Sequence, residues 1–358
     1  MPVYIGVDFH ARQQTISYLT TEDGEIKRLR IDHDPEDPRQ QQVREFYMQF
    51  TGEVIVGFEA GGYSQWFETM LAEIGHQVWV GDAHEIRLLA RRKQKNDKRD
   101  ANHILDLMVS GRFPRLFRRS AHSQEILRQL GYRHKLVKMR TMAKNSLQAI
   151  SLGAGLSLRS RLHSERGRSR LKQLNLTPAT ACQADKLIEL IDYLTAEADR
   201  VEKWLGEQAK SDERTALLQT HPGIGLLTSL ALVHTLEPVE RFANPRKVTA
   251  YIGMDPVEDS SADRKRIGAI SKAGSRMVRF LLTQAAQVAI KTDDELRSLF
   301  NRIMKRRNTP KAVVAVSRKL LVRSFIMLRD RIDAEEFLRR GVEARSSRKA
   351  HGPLMPEP

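Results

Sequence analysis

Four acidic residues stand where carboxylates could do chemistry with a metal ion. Asp8 ends the short apolar run VYIGVD, and Glu59 follows a second apolar run, VIVGF. Acids at strand ends project toward the edge of a sheet where ligands bind, and a core has no need of them. Asp97 and Asp100 lie three residues apart in KNDKRDA, so on a helix they share one face.

Carboxylate oxygens from three separate elements are the hard ligands that Mg²⁺ or Mn²⁺ prefers. Any one such acid is more often a helix cap or a surface ion pair, but the joint placement of all four favours a metal site. Two ions about 4 Å apart would stabilise the attacking and leaving oxygens of an in-line phosphoryl displacement. The sequence therefore predicts metal-assisted phosphoryl transfer at Asp8, Glu59, Asp97 and Asp100.

The composition favours a polyanionic partner. The 358 residues include 60 Lys and Arg against 44 Asp and Glu, a net charge of +16. Such a balance favours binding to nucleic acid through release of counterions from phosphates. The sole cysteine, Cys182, excludes an intrachain disulfide and a multi-cysteine zinc site and fits a reducing cytoplasm. The most apolar late segment, AVVAVSRKLLVRSFIML, is interrupted by charges, so we expect no membrane partner.

The chain reads as an α/β domain followed by helical regions. The first hundred residues contain three strand signals and then alternating helices and strands, which predicts a mixed sheet. This order matches ribonuclease-H-like nuclease folds of the RuvC type. We place this domain at 1–120, a helical or coiled-coil region at 121–212, a mainly helical C-terminal domain at 213–335, and a polar tail at 336–358.

Two long amphipathic helices are predicted in the middle region. The second carries one apolar stripe from Leu187 to Leu205. Such a pair can form an antiparallel arm within one chain or a coiled-coil contact between two chains. Either arrangement favours packing over direct chemistry for this region.

The last third contains two candidate nucleic-acid-binding segments. Gly223 and Gly225 lie in the turn HPGIG between helical segments. The turn resembles the hairpin of helix–hairpin–helix modules, whose backbone N–H groups meet a phosphate, although an ordinary helix connection would look the same. The other segment is DSSADRKRIGAISKAG, which contains two adjacent serines and four cations, namely Ser260, Ser261, Arg264, Lys265, Arg266 and Lys272. On these residues alone a phosphate-binding loop is favoured over a catalytic one, because serine needs activation to act as a nucleophile.

These motifs together resemble the IS110/IS1111 (DEDD) transposases of bacterial insertion sequences. GVDFHA, GFEAGG and KNDKRDA match the family's four acidic positions. HPGIGLLTSLAL and AYIGMDPVEDSSADRKRIGAISKAGSRMVRFLL match its carboxy-terminal transposase region. The likeness runs from about residue 3 to residue 330, and the ordered set is far more specific than any single motif.

The resemblance implies an RNA-guided DNA recombinase of the bacterial cytoplasm, associated with the nucleoid. Such proteins cut and rejoin donor and target DNA through a phosphoserine intermediate, and an element-encoded guide (bridge) RNA supplies specificity by base pairing. They act as homodimers and homotetramers, and the acidic cluster of one subunit is thought to join the serine of another.

The resemblance assigns the nucleophile to Ser261, with Ser260 as the alternative. This chain has Ser261-Ala262 where the family usually has Ser-Gly, and Ala60-Gly61-Gly62 where Ala-Thr-Gly is common. Counting back seven residues from Gly268 favours Ser261, whereas counting from Ser271-Lys272 leaves Ser260 possible. Arg264, Lys265, Arg266 and Lys272 would neutralise charge on the transferring phosphate.

Two rival functions remain. A metal-dependent RuvC-like nuclease or junction resolvase would use water as the nucleophile, and its serine loop would only grip DNA. A basic nucleic-acid-binding scaffold would have no catalytic step at all, but it would have no use for an acidic cluster that repels phosphate.

Overall fold

A mixed five-stranded sheet organises the amino-terminal part of the chain. The computed structural model describes residues 2–19, 24–89, 97–157, 164–258 and 267–350, with the backbone alone for 97–99, 267 and 344–350. Residues 1–118 and 119–358 form two compact units. The sheet of the first unit has the order β3-β2-β1-β4-β5, with strands β1 Val3–Phe9, β2 Gln13–Leu19, β3 Ile26–Asp32, β4 Val54–Glu59 and β5 Gln77–Gly81.

The sheet contains both antiparallel and parallel strand pairs. β1, β2 and β3 are antiparallel neighbours, whereas β4 pairs in parallel with β1 and β5 pairs in parallel with β4. The connections after β3 and β4 contain α1 Gln41–Met48 and α2 Gln65–Glu73, and α3 Ala83–Leu89 and α4 Asp97–Val109 follow β5. The mixed α/β architecture and the predicted strand–helix alternation are confirmed for this unit, and the sheet is compatible with an RNase-H-like fold.

The two faces of the sheet bury different helices. One face packs a cluster of apolar and aromatic residues against α1 and α2, including Ile5, Val7, Ile16, Phe58 and Phe67. On the other face α4 contributes Ile104, Leu107 and Met108 to a smaller cluster with Ile55 and Tyr4 of the strands. Burial on both faces explains why β1 and β4 read as continuous apolar runs.

Within its described residues, the second unit is helical apart from one small hairpin. Its elements are α5 Ala121–Gly153, α6 Glu165–Lys172, α7 Pro178–Lys210, α8 Glu213–Gln219, α9 Leu226–Leu236, a 3-10 turn Val239–Arg241, α10 Pro245–Ile252, β6 Pro256–Glu258, β7 Ile267–Ile270, α11 Arg276–Thr292, α12 Asp294–Arg306, α13 Thr309–Asp330 and α14 Ala334–Ala350. None of the helices described is long and apolar enough to cross a membrane.

The predicted apolar stripe of α7 faces α5 within the same chain. Leu205 packs with Ile126 and Leu130, and Leu194 and Ala198 pack with Leu136. Farther along, Ile191 and Ala184 meet Ala143 and Leu147. Low numbers on α5 meet high numbers on α7, so the two 33-residue helices form an antiparallel arm about 50 Å long. The stripe of α7 is therefore covered by α5 of the same chain, which is the antiparallel arm rather than the contact between two chains.

A buried polar network joins the start of α5 to the end of α9. Ser123 Oγ donates to Glu237 Oε2 at 2.8 Å and lies 2.8 Å from Nδ1 of His234. Glu237 also accepts from Ser120 Oγ at 2.9 Å, and Arg214 pairs with Glu237 at 3.3 Å. The imidazole of His234 is 1% exposed, and burial lowers its pKa to about 4. The base of the arm is therefore fixed by a neutral histidine.

We expect Gly6→Ala to destabilise the first unit. A Cβ at Gly6 would lie 2.6 Å from the carbonyl oxygen of Ala101 and from the amide nitrogen of Leu105, both of them backbone atoms that cannot rotate away. Overpacking of this kind costs about 1–3 kcal/mol. Denaturant unfolding followed by tryptophan fluorescence measures the loss. Gly131→Ala is the control, since nothing described lies within 4 Å of its added Cβ and a helix gains about 1 kcal/mol from such a change.

We expect acid to destabilise the second unit through His234. Below about pH 6.5 the unfolded chain binds a proton that the folded chain resists down to a pKa of about 4, so the free energy of unfolding falls as the pH falls across that window. The contribution is at most about 3 kcal/mol. Thermal unfolding between pH 7 and 4.5 measures the slope, and His234→Gln should flatten it. An unchanged slope in that variant would contradict the assignment.

Candidate active site

Asp8 and Glu59 lie side by side at the carboxyl ends of two neighbouring strands. β1 and β4 are parallel with Gly6 opposite Gly57 and Val7 opposite Phe58. One further step in this register sets Asp8 beside Glu59, on strands about 4.8 Å apart. Asp8 is 7% exposed, and Glu59 is partly buried. The topology thus brings together two of the predicted acids that are 51 positions apart in the chain.

The same face of the sheet receives α4. Residues two apart on a strand point to the same side, so Asp8 and Glu59 share the face of Gly6 and Gly57. At Gly6 the backbone of Ala101 and Leu105 fills the place of a side chain, and at Gly57 Met108 does so. The carboxyl half of α4 packs toward the amino ends of the strands, against Tyr4 and Ile55. The start of α4 is therefore directed toward the strand ends that carry Asp8 and Glu59.

Asp97 and Asp100 belong to the first turn of α4, as the sequence predicted for a shared helical face. The Asp100 side chain is partly buried, and only the backbone of Asp97 is described. Asp97 begins α4 four positions, or about one turn, before Ala101. Within the described part of the chain, no three His, Cys, Asp or Glu side chains form a group that could hold a metal ion. The carboxylates of Asp8, Glu59 and Asp100 have the donor chemistry for a hard cation, but their described positions do not close such a group.

His10 is a residue of this site that the sequence did not point to. Its Nε2 lies 3.1 Å from Oδ2 of Asp8, and its side chain is 51% exposed. The contact arises because the chain turns sharply after β1, where His10 N–H donates to the carbonyl of Gln13 at 2.9 Å. A hydrogen bond to a carboxylate oxygen orients that carboxylate. The signal in the sequence was only a histidine two residues after an acid.

Contacts of Ser64 and Glu68 hold the loop that follows Glu59. Ser64 Oγ is within hydrogen-bond distance of Glu68 Oε1 at 2.8 Å and of the Gly61 carbonyl at 3.3 Å. Glu68 is buried and pairs with Arg118. Burial lowers the pKa of Arg118, which nonetheless remains a cation. This connection fixes the chain from Glu59 into α2.

The serine segment joins two antiparallel strands of the second unit. β6 and β7 pair with Pro256 opposite Ile270 and Glu258 opposite Ile267. Residues 259–266 between them lie outside the described residues, so the positions predicted for the nucleophile and the clamp there, Ser260, Ser261, Arg264, Lys265 and Arg266, stay predictions.

Hydrogen bonds join the two segments at the base of this hairpin, residues 252–255 before β6 and residues 271–274 after β7, here called its roots. Ser271 donates from Oγ to Asp255 Oδ1 at 2.7 Å and from its backbone N–H to the Asp255 carbonyl at 2.9 Å. From α11, Nη1 of Arg279 donates to the carbonyls of Ile252 at 2.9 Å and Gly274 at 2.6 Å. Both roots thus share one guanidinium, and a cation at the carboxyl end of α10 is favoured by the helix dipole.

Lys272, a predicted phosphate contact, is exposed at the base of the hairpin and has a φ of 58°. A non-glycine residue in the left-handed region costs about 1 kcal/mol or more, and its surroundings must hold it there. The hydrogen bond from its N–H to the Gly253 carbonyl, at 3.0 Å, does so. The hydroxyl of Ser271, unlike the exposed Lys272 side chain, is hydrogen-bonded to Asp255, so Ser271 has a structural role.

The PGIG turn connects α8 to α9, as predicted, but its two glycines differ. Gly223 has a φ of 93° and packs against the backbone of α11, where a Cβ would lie 2.7 Å from the Ala285 carbonyl. Gly225 is exposed and is the N-cap of α9, without a side-chain cap. Gly223 is therefore required by packing, whereas Gly225 leaves the start of α9 accessible to an anion.

A buried ion network lies directly behind this turn. The fully buried Arg323 of α13 bonds from Nη1 to Nε2 of His221 at 3.1 Å and to Asp293 at 2.5 Å. Its Nη2 bonds to Glu295 at 2.5 Å. Burial, the largest influence, lowers the pKa of His221, and its Nδ1 donates to the Pro222 carbonyl at 2.8 Å. A neutral histidine thus couples the turn to α12 and α13.

Two family models of transposases match the two parts of the chain that contain the predicted site residues. Residues 5–152 match the family model DEDD_Tnp_IS110, described as a transposase, and residues 215–301 match the model of the Transposase IS116/IS110/IS902 family. The first match contains all four predicted acids, and the second contains the PGIG turn and the serine hairpin.

Curated relatives resemble most of the chain. The transposase for insertion sequence element IS1111A of Coxiella burnetii is 26% identical over 74% of this chain and 74% of its own length. A protein of Pseudomonas aeruginosa named "Probable family 20 transposase" is 28% identical over 77% of this chain and 83% of its own length. The transposase for insertion sequence element IS1328 of Yersinia enterocolitica is 26% identical over 65% of this chain and 70% of its own length.

We expect Arg279→Met to loosen the hairpin roots. The change removes the donor shared by the Ile252 and Gly274 carbonyls. Amide hydrogen exchange should then quicken in β6 and β7, by roughly tenfold for a loss near 1.4 kcal/mol. Arg276→Met, an exposed neighbour on the same helix, is the control. Equal exchange in both variants would contradict the role given to Arg279.

Proposed function

We propose that this chain, which belongs to the IS110/IS1111 family of insertion-sequence transposases, cuts and rejoins DNA by transferring a phosphodiester to and from a serine. The observation that carries the proposal is the placement of Asp8 and Glu59 on adjacent parallel strands, with the start of α4 directed toward them. A transposase acts on DNA, and the net charge of +16 suits that substrate.

In this proposal Asp8, Glu59, Asp97 and Asp100 hold Mg²⁺ or Mn²⁺. When bound, the metal would supply Lewis-acid stabilisation of charge at the scissile phosphate. His10 orients the Asp8 carboxylate. The strands carry Asp8 and Glu59, and the close contacts at the sheet glycines hold α4, which carries Asp97 and Asp100, against the same face.

Ser261 is the proposed nucleophile, with Ser260 as the alternative. Its Oγ forms a bond to phosphorus and loses its proton, the bond from phosphorus to one deoxyribose oxygen breaks, and that oxygen gains a proton and leaves as a hydroxyl. A hydroxyl on the exchanged strand then attacks the phosphoserine and releases the serine. Each step breaks one phosphoester bond and forms another, so no energy cofactor is needed.

The cations near the serine complete the site. Arg264, Lys265, Arg266 and Lys272 neutralise the transferring phosphate. Gly223 and Gly225 shape a turn whose exposed N–H groups contact the DNA backbone away from the break. An element-encoded guide RNA pairs with donor and target DNA and selects the sites, and the protein assembles as a homodimer and a homotetramer on them.

We expect Ser261→Ala and Asp8→Asn to fail at distinguishable points. The complex purified with its bound RNA is incubated with labelled donor and target DNA and Mg²⁺, and covalent protein–DNA adduct is separated from free DNA in denaturing gels. Ser261→Ala should abolish adduct and recombinant product, because the change removes the proposed nucleophilic oxygen. Asp8→Asn should slow adduct formation by roughly 10²–10³-fold through lost electrostatic stabilisation.

Two controls complete this experiment. Glu53→Gln removes an exposed acid at the other end of β4 and should leave the rate unchanged. Ser260→Ala tests the alternative nucleophile. Cutting without adduct in Ser261→Ala and in Ser260→Ala would establish the water-dependent nuclease instead, and full activity in Asp8→Asn would exclude the metal site at the strand ends. Sequencing the bound RNA tests the guide.

A further inference from the structure

The three residues Gly61, Gly62 and Tyr63, here called the GGY loop, are unexplained by the fold. Gly61 and Gly62 have no positive φ, and among the described atoms none lies within 4 Å of a Cβ built on either. Any L-residue could occupy these positions. Glycine there leaves the unfolded chain with more freedom and so lowers stability. In Gly6, Gly223 and Gly253, by contrast, close backbone contacts require glycine.

The side chain of Tyr63 is exposed to solvent. It is 72% exposed, the highest value among the exposed large apolar side chains described. The next residue, Ser64, is 4% exposed and is anchored by its bond to the buried Glu68. The chain is therefore anchored directly after Tyr63, while the ring itself stays exposed. No described side chain makes a ring contact or a hydrogen bond with Tyr63.

The GGY loop lies beside the proposed metal ligands. The GGY loop begins two residues after Glu59, at the strand ends that carry the proposed metal ligands. The loop after Asp8 contributes the exposed Arg12 beside the same end of the sheet. A bare backbone permits another chain to approach closely, and an exposed aromatic ring stacks on any nucleobase.

We propose that the GGY loop binds the DNA strand beside the scissile phosphate. The sugar–phosphate backbone passes over Gly61 and Gly62, where a side chain would obstruct it, and Tyr63 stacks on the adjoining unpaired base. The inference rests on the proposed function, since Asp8 and Glu59 mark where that phosphate lies. It adds a residue that holds the strand in place during the serine step and prevents the base from restacking.

The first test changes the ring. With the RNA-bound protein and DNA carrying a nick beside the cut site, Tyr63→Ala should lower adduct formation by roughly 5- to 150-fold, the range of a lost base stack. Tyr63→Phe should keep activity, because stacking does not need the hydroxyl. Tyr193→Ala, which removes a tyrosine 62% exposed on α7, is the matched control. Equal rates in Tyr63→Ala and wild type would overturn the inference.

The second test separates binding from stability. Gly62→Ala should leave Tm unchanged or raised yet weaken adduct formation, whereas Gly341→Ala in α14, also open around its Cβ, should change only Tm. A purely structural loop predicts that activity follows Tm in both variants. Full activity in a stabilised Gly62→Ala protein would therefore contradict the close approach of DNA.

Photo-crosslinking identifies the occupant. DNA with 5-iododeoxyuridine next to the scissile phosphate should crosslink to Tyr63 in wild type and lose that product in Tyr63→Ala. A crosslink from labelled guide RNA, or none from DNA, would overturn the assignment. If wild type forms adduct and Asp8→Asn does not, while Tyr63 variants behave as wild type, only this inference fails. If Asp8→Asn is fully active, the proposed function fails first.

Discussion

The close contact between α4 and the sheet is the constraint on which the first unit depends. At Gly6 the helix backbone comes so near that no side chain fits, and Met108 fills the place above Gly57. Because these glycines stand opposite one another on β1 and β4, they fix both the height of α4 and its crossing direction. The acids two residues farther along each strand then lie on the face that the helix covers. A helix held away from the sheet by even one methyl group would carry its first turn away from those strand ends.

The second unit solves a similar problem with buried charges. Arg323 of α13 is fully buried, yet it has partners on two other segments, His221 before the PGIG turn and Asp293 and Glu295 at the start of α12. Burial alone would raise the pKa of Asp293, but hydrogen bonds from the Leu296 N–H and from Arg323 outweigh it and hold that pKa below its ordinary value. Such pairs add little net stability over apolar residues, but removing one partner is costly, so they specify one arrangement. Here they fix the PGIG turn relative to α12 and α13.

Much of this architecture could be predicted from the sequence, and the failures have physical causes. The apolar runs VYIGV and VIVGF, each followed directly by an acid, predicted strands β1 and β4 correctly. The stripe on α7 predicted a helix partner but could not say whether that partner was α5 or a second chain, since both offer the same apolar surface. His10, Asp255 and Arg279 were not predicted, because each acts through a contact set by backbone turns rather than by a periodic pattern. Arg323 was noted only as a charge that interrupts an apolar segment, whereas its burial depends on three acids and bases far away in the chain.

The chemistry also explains why the proposed site is distributed between a sheet and a hairpin. A carboxylate cluster repels phosphate until a cation is bound, so it needs rigid strands that hold like charges near one another. A serine that must attack one DNA strand and later release it needs access from two directions, which a buried sheet end does not provide. The contacts of Ser271, Asp255 and Arg279 fix the base of the hairpin from which the proposed serine segment extends. On the proposed mechanism neither unit holds all the groups for strand transfer, and an acidic site without the serine leaves no protein–DNA bond. Cutting is then tied to the assembly that brings the two parts to one phosphate, which protects DNA from a protein that has not yet found both of its sites.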